Sequence, residues 1–193
     1  LEKGRTSLVM DAAPPPIGAA SDTGCASTLG FEMSDGPYRL IVNCGGAGAG
    51  GAILSDALVQ ALRTSAAHST LVVADSNSTA LLPLGGLGAG VGQTEVEWQD
   101  SAAGGRVEAS HDGYVRRFGM LHRRTLTLLP DGSELRGDDV LVPQRRVRNG
   151  VQFAIRFHLG VGVDASPTAV GNGALLRLPD GHMWQFRCQN GTL

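Results

Sequence analysis

Short segments in which apolar and polar residues alternate with a period of two run through most of this 193-residue chain. This period is typical of half-buried β-strands, because successive side chains of a strand point to opposite faces of its sheet. The segments are TLGFEMS, YRLIVN, STLVVAD, TEVEWQD, RRTLTLL, VQFAIRFHL, ALLRL and HMWQFRC. One segment, ILSDALVQALRT, has helical spacing instead, and Ser55 is its candidate N-cap. We therefore expect an all-β fold with one short helix.

Asp-Gly pairs lie between several of these segments, at Asp35-Gly36, Asp131-Gly132 and Asp180-Gly181. Such pairs favour tight hairpin turns, since glycine accepts a positive φ without steric cost. Neighbouring strands should therefore pair antiparallel. A single sheet would leave one apolar face in water, so the pattern predicts an antiparallel β-sandwich of two stacked sheets, with a barrel as the alternative.

The size and composition of the chain indicate one core. At 193 residues and 42% hydrophobic content, it is long enough to bury one substantial core. Aromatic residues make up only 5% of the chain, so Leu, Val and Ile must fill most of that core. The large side chains expected to anchor it are Trp98, Trp184, Phe31, Phe153 and Phe157.

The first residues of the chain differ in composition from the remainder. The stretch DAAPPPIGAASDTG is rich in proline, glycine and small residues, which predicts an extended or mobile segment over residues 1–25. The β-sandwich domain is expected to occupy residues 26–193. The chain starts with Leu1 rather than methionine, so we expect it to be a piece of a longer polypeptide.

Several function classes find no support in the sequence. A net charge of −2 with 18% charged residues gives no field that would attract nucleic acid. No apolar run approaches the roughly 20 residues of a membrane-spanning helix. The glycine-rich stretches 44–52 and 84–92 lack the strand and helix context of a nucleotide loop, and we expect flexible loops there. The three cysteines are too widely spaced for a structural zinc motif.

Four stretches carry a family resemblance: LGFEMSDGPYRLIVNCG, LRTSAAHSTLVV, HDGYVRRFGMLHRRTLTLLPDGSELRGDDVLV and FAIRFHL. In this order and spacing they resemble the C-terminal domain of heparinase II/III-like proteins, in the form common in alphaproteobacteria. The similarity covers Leu8 to Leu193. It implies a β-sandwich packed on an N-terminal α/α toroid, and the toroid is not part of this sequence.

The resemblance also implies a chemistry and a set of positions. The family cleaves acidic, uronate-containing polysaccharides by β-elimination, with the carboxylate-neutralising group and a catalytic tyrosine supplied largely by the toroid. Family metal positions correspond to Cys25, Asn43 and His68, of which only His68 keeps the family's residue type. With no carboxylate in this set, we expect no cofactor or only weakly bound zinc. His68 is expected to lie next to the site, and the chain alone to be inactive.

The remaining histidines favour structural roles. His111 precedes a turn, His122 lies among arginines, and His158 is expected to face outward. The pair Asp138-Asp139 is interpreted as an exposed acid pair. The alternative function is a non-catalytic carbohydrate-binding or structural β-sandwich module. By analogy with the family, the location would be the periplasm or cell envelope.

Overall fold

The computed structural model describes residues 1–46, 54–83, 85–146 and 150–193. Within these ranges, the two α-helices are α1 (Asp56–Leu62) and α2 (Val115–Phe118). Neither helix of this part of the chain is long and apolar enough to cross a lipid bilayer. The strands in chain order are β1 Glu2–Lys3, β2 Thr6–Met10, β3 Phe31–Asp35, β4 Tyr38–Val42, β5 Leu71–Val73, β6 Thr94–Ser101, β7 Gly104–His111, β8 Met120–Leu128, β9 Leu135–Pro143, β10 Phe153–Ile155, β11 His158–Leu159, β12 Asp164–Pro167, β13 Gly173–Arg177 and β14 Met183–Arg187.

Two larger sheets form the main layers of the fold. Sheet A is five-stranded, in the order β1-β2-β3-β4-β11, and sheet B is four-stranded, in the order β6-β7-β8-β9. Smaller sheets pair β5 with β10 and join β12, β13 and β14. The strand pairs of both larger sheets are antiparallel. The predicted antiparallel all-β fold is confirmed.

The main core lies between the two larger sheets. Leu8 and Phe31 of sheet A share one buried cluster with Val107 and Leu126 of sheet B. Side chains of β13, including Leu176, also belong to this cluster. Each layer alone would leave this apolar face in water, which is why the sheets stack.

The three Asp-Gly pairs form the turns that the sequence predicts. They connect β3 to β4, β8 to β9 and β13 to β14, and each joins antiparallel neighbours. The glycines have positive φ values of 54° at Gly36, 75° at Gly132 and 87° at Gly181. These turns determine the register of the hairpins that follow.

The structure differs from the sequence prediction at the N-terminus. β1 and β2 belong to sheet A, with Val9 opposite Glu32 and Met10 opposite Phe31. Residues 1–10 therefore form part of the sandwich rather than a separate extended or mobile segment, since Thr6 and Leu8 bury their side chains on its inner face.

The described residues contain a second short helix, α2, in addition to the one helix that the sequence predicts. The predicted glycine-rich loops fall partly on residues 47–53 and 84, which lie outside the described residues.

Two of the expected aromatic anchors do not lie in the core. Phe31 is buried and packs edge-on against Phe157, with ring centroids 6.1 Å apart. By contrast, Trp98 is 68% exposed and Phe153 is 54% exposed. The prediction was wrong for these two: Trp98 belongs to β6, an end strand of sheet B, and Phe153 belongs to β10, which pairs only with β5 among the described strands.

Helix α1 begins as the sequence predicts. The Ser55 hydroxyl accepts a hydrogen bond from the Leu58 amide at 3.4 Å, so Ser55 is the N-cap. At the other end, the Arg63 guanidinium donates to the carbonyls of Gly24, Ser21 and Gly86. The buried Arg63 at the end of the helix thus connects three loop carbonyls by hydrogen bonds.

Replacing the cap should cost a measurable but small amount of stability. Ser55→Ala is expected to lower the free energy of unfolding by about 1 kcal/mol, because an amide of the first turn loses its acceptor. Urea denaturation followed by circular dichroism measures this. Ser55→Asp is the matched control and should stay near the parent value, since its carboxylate also caps. Equal losses for both variants would contradict the capping role.

Candidate functional site

Two of the three positions that the family resemblance selects, Asn43 and His68, lie next to each other at one end of sheet A. Asn43 directly follows β4, and His68 ends a short 3₁₀ turn, Ser65–Ala67, before β5. Gly30 lies against both side chains: a Cβ added there would lie 3.1 Å from Asn43 Oδ1 and 3.4 Å from His68 Cβ. The Ser69 amide donates to Asn43 Oδ1 at 2.8 Å. The structure thus brings Asn43 and His68 together, and we call the group Cys25, Glu32, Asn43, His68 and His158 the His68 edge.

The imidazole of His68 is buried and held in one orientation. Its side chain belongs to a residue that is 4% exposed, and Nδ1 lies 2.8 Å from the Thr64 carbonyl oxygen. Because a carbonyl oxygen can only accept, Nδ1 carries the proton and Nε2 carries the lone pair in the neutral ring. Burial lowers the pKa of His68, although the Thr64 carbonyl and the Asp11 carboxylate act to raise it. The ring is therefore neutral at pH 7.

Two further side chains complete the polar surroundings. Glu32 Oε1 accepts from the backbone amide of Asn43 at 3.2 Å and from its side-chain amide at 3.4 Å. Glu32 also forms an ion pair with Arg39. His158 does not face outward as predicted: it is half-buried, and its Nε2 lies 2.9 Å from the Ala66 carbonyl oxygen. Backbone carbonyls thus orient both histidines of the edge.

Cys25 lies beside the loop that follows Asn43. A Cβ on Gly46 would lie 3.2 Å from Cys25 Sγ. Burial raises the pKa of the Cys25 thiol, with Arg63 acting in the opposite direction. The thiol is therefore protonated at neutral pH. The Asp11 carboxylate raises the pKa of both Cys25 and His68, so it acts on both halves of the edge.

These contacts do not fit a zinc site. The described residues contain no group of three His, Cys, Asp or Glu side chains placed to hold a metal ion. Asn43 Oδ1 is a neutral oxygen that already accepts from the Ser69 amide, which makes it a weak zinc ligand, and the raised pKa of Cys25 disfavours the thiolate that zinc binds. Of the three family positions, His68 supplies an imidazole nitrogen, Nε2, for which no hydrogen-bond partner lies among the described residues.

A second group of titratable side chains lies inside the sandwich. His122 Nε2 contacts Asp139 Oδ1 at 2.6 Å, and His122 Nδ1 contacts His111 Nε2 at 3.1 Å. Arg124 donates to both carboxylate oxygens of Asp139, each at 2.9 Å. We call these four residues the buried histidine network.

Arg124 connects this network to loops of the opposing layer. Its Nη1 donates to the Leu29 carbonyl at 2.6 Å and to the Ser69 carbonyl at 2.7 Å. Ser69 directly follows His68, so a guanidinium of sheet B helps to position the His68 edge. The cation also lies over the Phe31 ring, 5.3 Å from its centroid.

The charges of the network are set by its burial. Burial lowers the pKa of His111 well below its usual value, and His122 and Arg124 lower it further. Burial also lowers the pKa of His122, against the opposing effect of Asp139. Burial acts to raise the pKa of Asp139, but Arg124 and His122 outweigh it and hold the value at about 2. At pH 7 the network holds two neutral imidazoles and one ion pair.

The network is structural rather than catalytic, because all four of its ring nitrogens already have partners: His111 Nδ1 accepts from the Gly113 amide, His111 Nε2 contacts His122 Nδ1, and His122 Nε2 contacts Asp139. His111 is 1% exposed, and His122 and Arg124 are 0% and 1% exposed. The structural prediction for both histidines agrees with this placement. The interpretation of Asp138-Asp139 as an exposed pair is wrong for Asp139, whose side chain is 8% exposed. Asp138 is exposed, since neighbouring residues of a strand face opposite ways.

Comparison with known proteins identifies the family. The family model described as heparinase II/III-like, C-terminal matches residues 1–193. The chain belongs to this family. The solved structures agree with this fold: a heparan sulfate lyase HepC mutant from Pedobacter heparinus has a TM-score of 0.71 and 14% identity, covering 97% of this chain and 26% of that one. A heparinase III, the BT4657 gene product, has a TM-score of 0.70 and 15% identity, covering 95% and 25%.

A relative with higher identity is not named as a heparinase. FtsZ-localized protein C of Caulobacter vibrioides (strain NA1000 / CB15N) is 33% identical over 201 residues, covering 95% of this chain and 33% of that protein. This heparinase II/III-like chain therefore spans about a third of the curated relative and about a quarter of the solved lyases. It corresponds to the C-terminal part of heparinase II/III-like polysaccharide lyases.

Proposed function

We propose that this chain is the β-sandwich part of a polysaccharide lyase, and that its His68 edge forms one side of a cleft for acidic, uronate-containing polysaccharide. The observation that carries the proposal is the state of His68. Its ring is neutral, Nδ1–H is held by the Thr64 carbonyl, and Nε2 keeps a lone pair. Such a nitrogen can accept a hydrogen bond from a sugar hydroxyl or take up a proton.

Among the described residues, this edge offers no free group for the other parts of a β-elimination site. The reaction needs a group that neutralises the uronate carboxylate, a base for the adjacent proton and an acid for the leaving oxygen. Near His68, the Arg39 guanidinium is paired with Glu32, and Asn43 is engaged by Ser69 and Glu32. The missing groups would come from an N-terminal α/α toroid in a longer protein. The chain alone should bind without cleaving.

The first test of the proposal is product formation. The pure 193-residue chain is expected to release no unsaturated uronate products from heparin, heparan sulfate or alginate, because the described residues of the His68 edge offer only one of the required groups. Ultraviolet absorbance of the new carbon–carbon double bond measures the products, with a full-length heparan sulfate lyase as positive control. Product formation that survives in His182→Ala but disappears in His68→Ala would show a complete site within this chain.

A second candidate function is a non-catalytic module that assembles into a larger envelope structure. The observation that favours it is the 33% identity to a protein named for its localization with FtsZ. The replacement of family metal ligands by Cys25 and Asn43 is consistent with a site that no longer serves catalysis. Co-sedimentation of the chain with purified FtsZ polymers, in parallel with a polysaccharide-binding assay, separates the two candidates. Binding to FtsZ together with no retention on any of the polysaccharides would favour the module.

A further inference from the structure

The outer strand of sheet B leaves one backbone edge unpaired. β6 is an end strand of the order β6-β7-β8-β9, and it pairs with β7 along all eight of its residues. Among the described residues, no strand pairs with its other side. A long unpaired edge of this kind is a template for the addition of another strand.

The hydrogen-bond pattern identifies the backbone groups on this free edge. The Asp112 amide donates to the Gln93 carbonyl, so residue 93 points its polar groups toward β7. Ser101 and Gly104 pair across the tight turn, which gives Ser101 the same orientation. Because the orientation alternates along an antiparallel strand, the N–H and C=O groups of Val96 and Trp98 point away from β7. These are the groups that an added strand would meet.

The side chains of the same two residues form an apolar strip. Val96 and Trp98 lie opposite Ala109 and Val107, which are both buried, so they belong to the inner face of sheet B. They are nevertheless 45% and 68% exposed. With Leu1, Leu8, Met10 and Val107 they line a groove of about 210 Å³. The inner face of sheet B is thus left uncovered along this edge.

The opposite face of β6 is acidic. Glu95 and Glu97 are exposed, and neither has an ion-pair partner among the described residues. Glu97 lies opposite Glu108, which pairs with Arg106, and Arg123 lines the same shallow pocket, so three carboxylates against two guanidiniums leave this face acidic. A second copy of β6 would bring another set of these glutamates to the same edge, and like charges on neighbouring strands are destabilising. The charge of the edge favours a basic partner over self-pairing.

We infer that the free edge of β6 binds an extended peptide segment in which apolar and basic residues alternate, adding a fifth strand to sheet B. Backbone groups of Val96 and Trp98 pair with the segment. Its apolar side chains enter the groove beside Trp98, and its lysines or arginines lie beside Glu95 and Glu97. The period of two in a strand places these two kinds of side chain on opposite faces, as both surfaces require. This site is separate from the His68 edge and does not depend on its function.

The experiment uses a synthetic peptide of alternating lysine and valine with a fluorescent label, and the whole 193-residue chain. Binding is measured by fluorescence anisotropy. A matched peptide carries N-methyl groups on alternate backbone amides, which removes the donors of a strand but keeps its charge. The expected result is saturable binding of the first peptide and at least a tenfold weaker binding of the second.

Variants of β6 test the edge itself. Val96→Pro removes an outward donor but no hydrogen bond to β7, so the chain should fold and binding should fall at least tenfold. The double variant Glu95→Lys/Glu97→Lys should prefer a peptide of alternating glutamate and valine. Val161→Ala, at a fully exposed position elsewhere, should bind as the parent does. Thermal unfolding checks that each variant is folded.

Three outcomes would overturn the inference. The first is equal binding of the N-methylated peptide, which would mean that charge alone drives association. The second is unchanged affinity in Val96→Pro, or no binding up to about 1 mM peptide. The third is a dimer in analytical ultracentrifugation that Val96→Pro dissociates, which would identify a second copy of the chain as the occupant.

Discussion

Arg124→Met is expected to lower the free energy of unfolding by about 3–5 kcal/mol, because it leaves the Asp139 carboxylate buried without its cation. The side chains of Arg124 and Asp139 are 1% and 8% exposed, so water cannot replace the lost partner. The carbonyls of Leu29 and Ser69 lose their donor as well. Urea denaturation monitored by circular dichroism measures the loss.

The neighbouring residue supplies the control for this prediction. Arg123 is exposed on the outer face of the same strand, and Arg123→Met should change stability by no more than about 0.5 kcal/mol. The double variant Arg124→Met/Asp139→Leu should lose less than the sum of the single losses, since it removes both charges. A loss below about 1 kcal/mol in Arg124→Met would show that the ion pair is dispensable.

Acidification from pH 7.5 to 5.5 is expected to cost about 2 kcal/mol of stability, through the buried histidines. Burial lowers the pKa of His111 and His122 below the usual 6.5. Above pH 6.5 these rings are neutral in both states and contribute nothing to the pH dependence. Below 6.5 the unfolded chain takes up protons that the folded chain does not, so stability falls as the pH falls. His68 acts in the same direction.

Paired urea titrations at the two pH values measure this loss. His111→Asn should reduce the difference between the two pH values by about 1 kcal/mol, because one such ring is removed. Val161→Ala, at a fully exposed position without a titratable group, should leave the difference unchanged. Asp139 adds a further loss only as the pH falls through the unfolded pKa of about 4 toward the folded pKa of about 2. Stability that is constant from pH 7.5 to 5.5 would contradict the assignment of neutral buried rings.

The hairpins of the fold are predictable from local sequence, whereas several strands are not. Asp-Gly turns and alternation at period two predict β3, β4, β8, β13 and β14 correctly. The sequence pattern does not predict β7, because its sequence GGRVEASH begins with two glycines and mixes charged with small residues. The sequence pattern also does not predict β1 and β2, because the proline-rich stretch that follows them dominates the composition of this region. Their placement depends on pairing with β3, which is a long-range contact.

Asp139 shows how far reasoning from the sequence could have gone. The Asp131-Gly132 turn pairs Leu128 with Leu135, and the same register places Arg124 opposite Asp139. Alternation from Leu126 then directs Arg124 inward. Had residues 135–143 been interpreted as a strand, this ion pair would have followed from the turn alone. The exposure of Trp98, in contrast, has no local signal, because it follows from the place of β6 at the end of sheet B.

The connections made by Arg124 bear on the order in which the chain folds. Its guanidinium reaches Leu29 across 95 residues of sequence and Ser69 across 55. We expect contacts of such separation to form after the local hairpins, because closing a long loop costs more entropy than closing a local turn. Interactions that are absent from the folding transition state slow unfolding without speeding folding. The contacts of the Arg124 guanidinium should therefore slow the unfolding of the native sandwich and have little effect on its rate of folding.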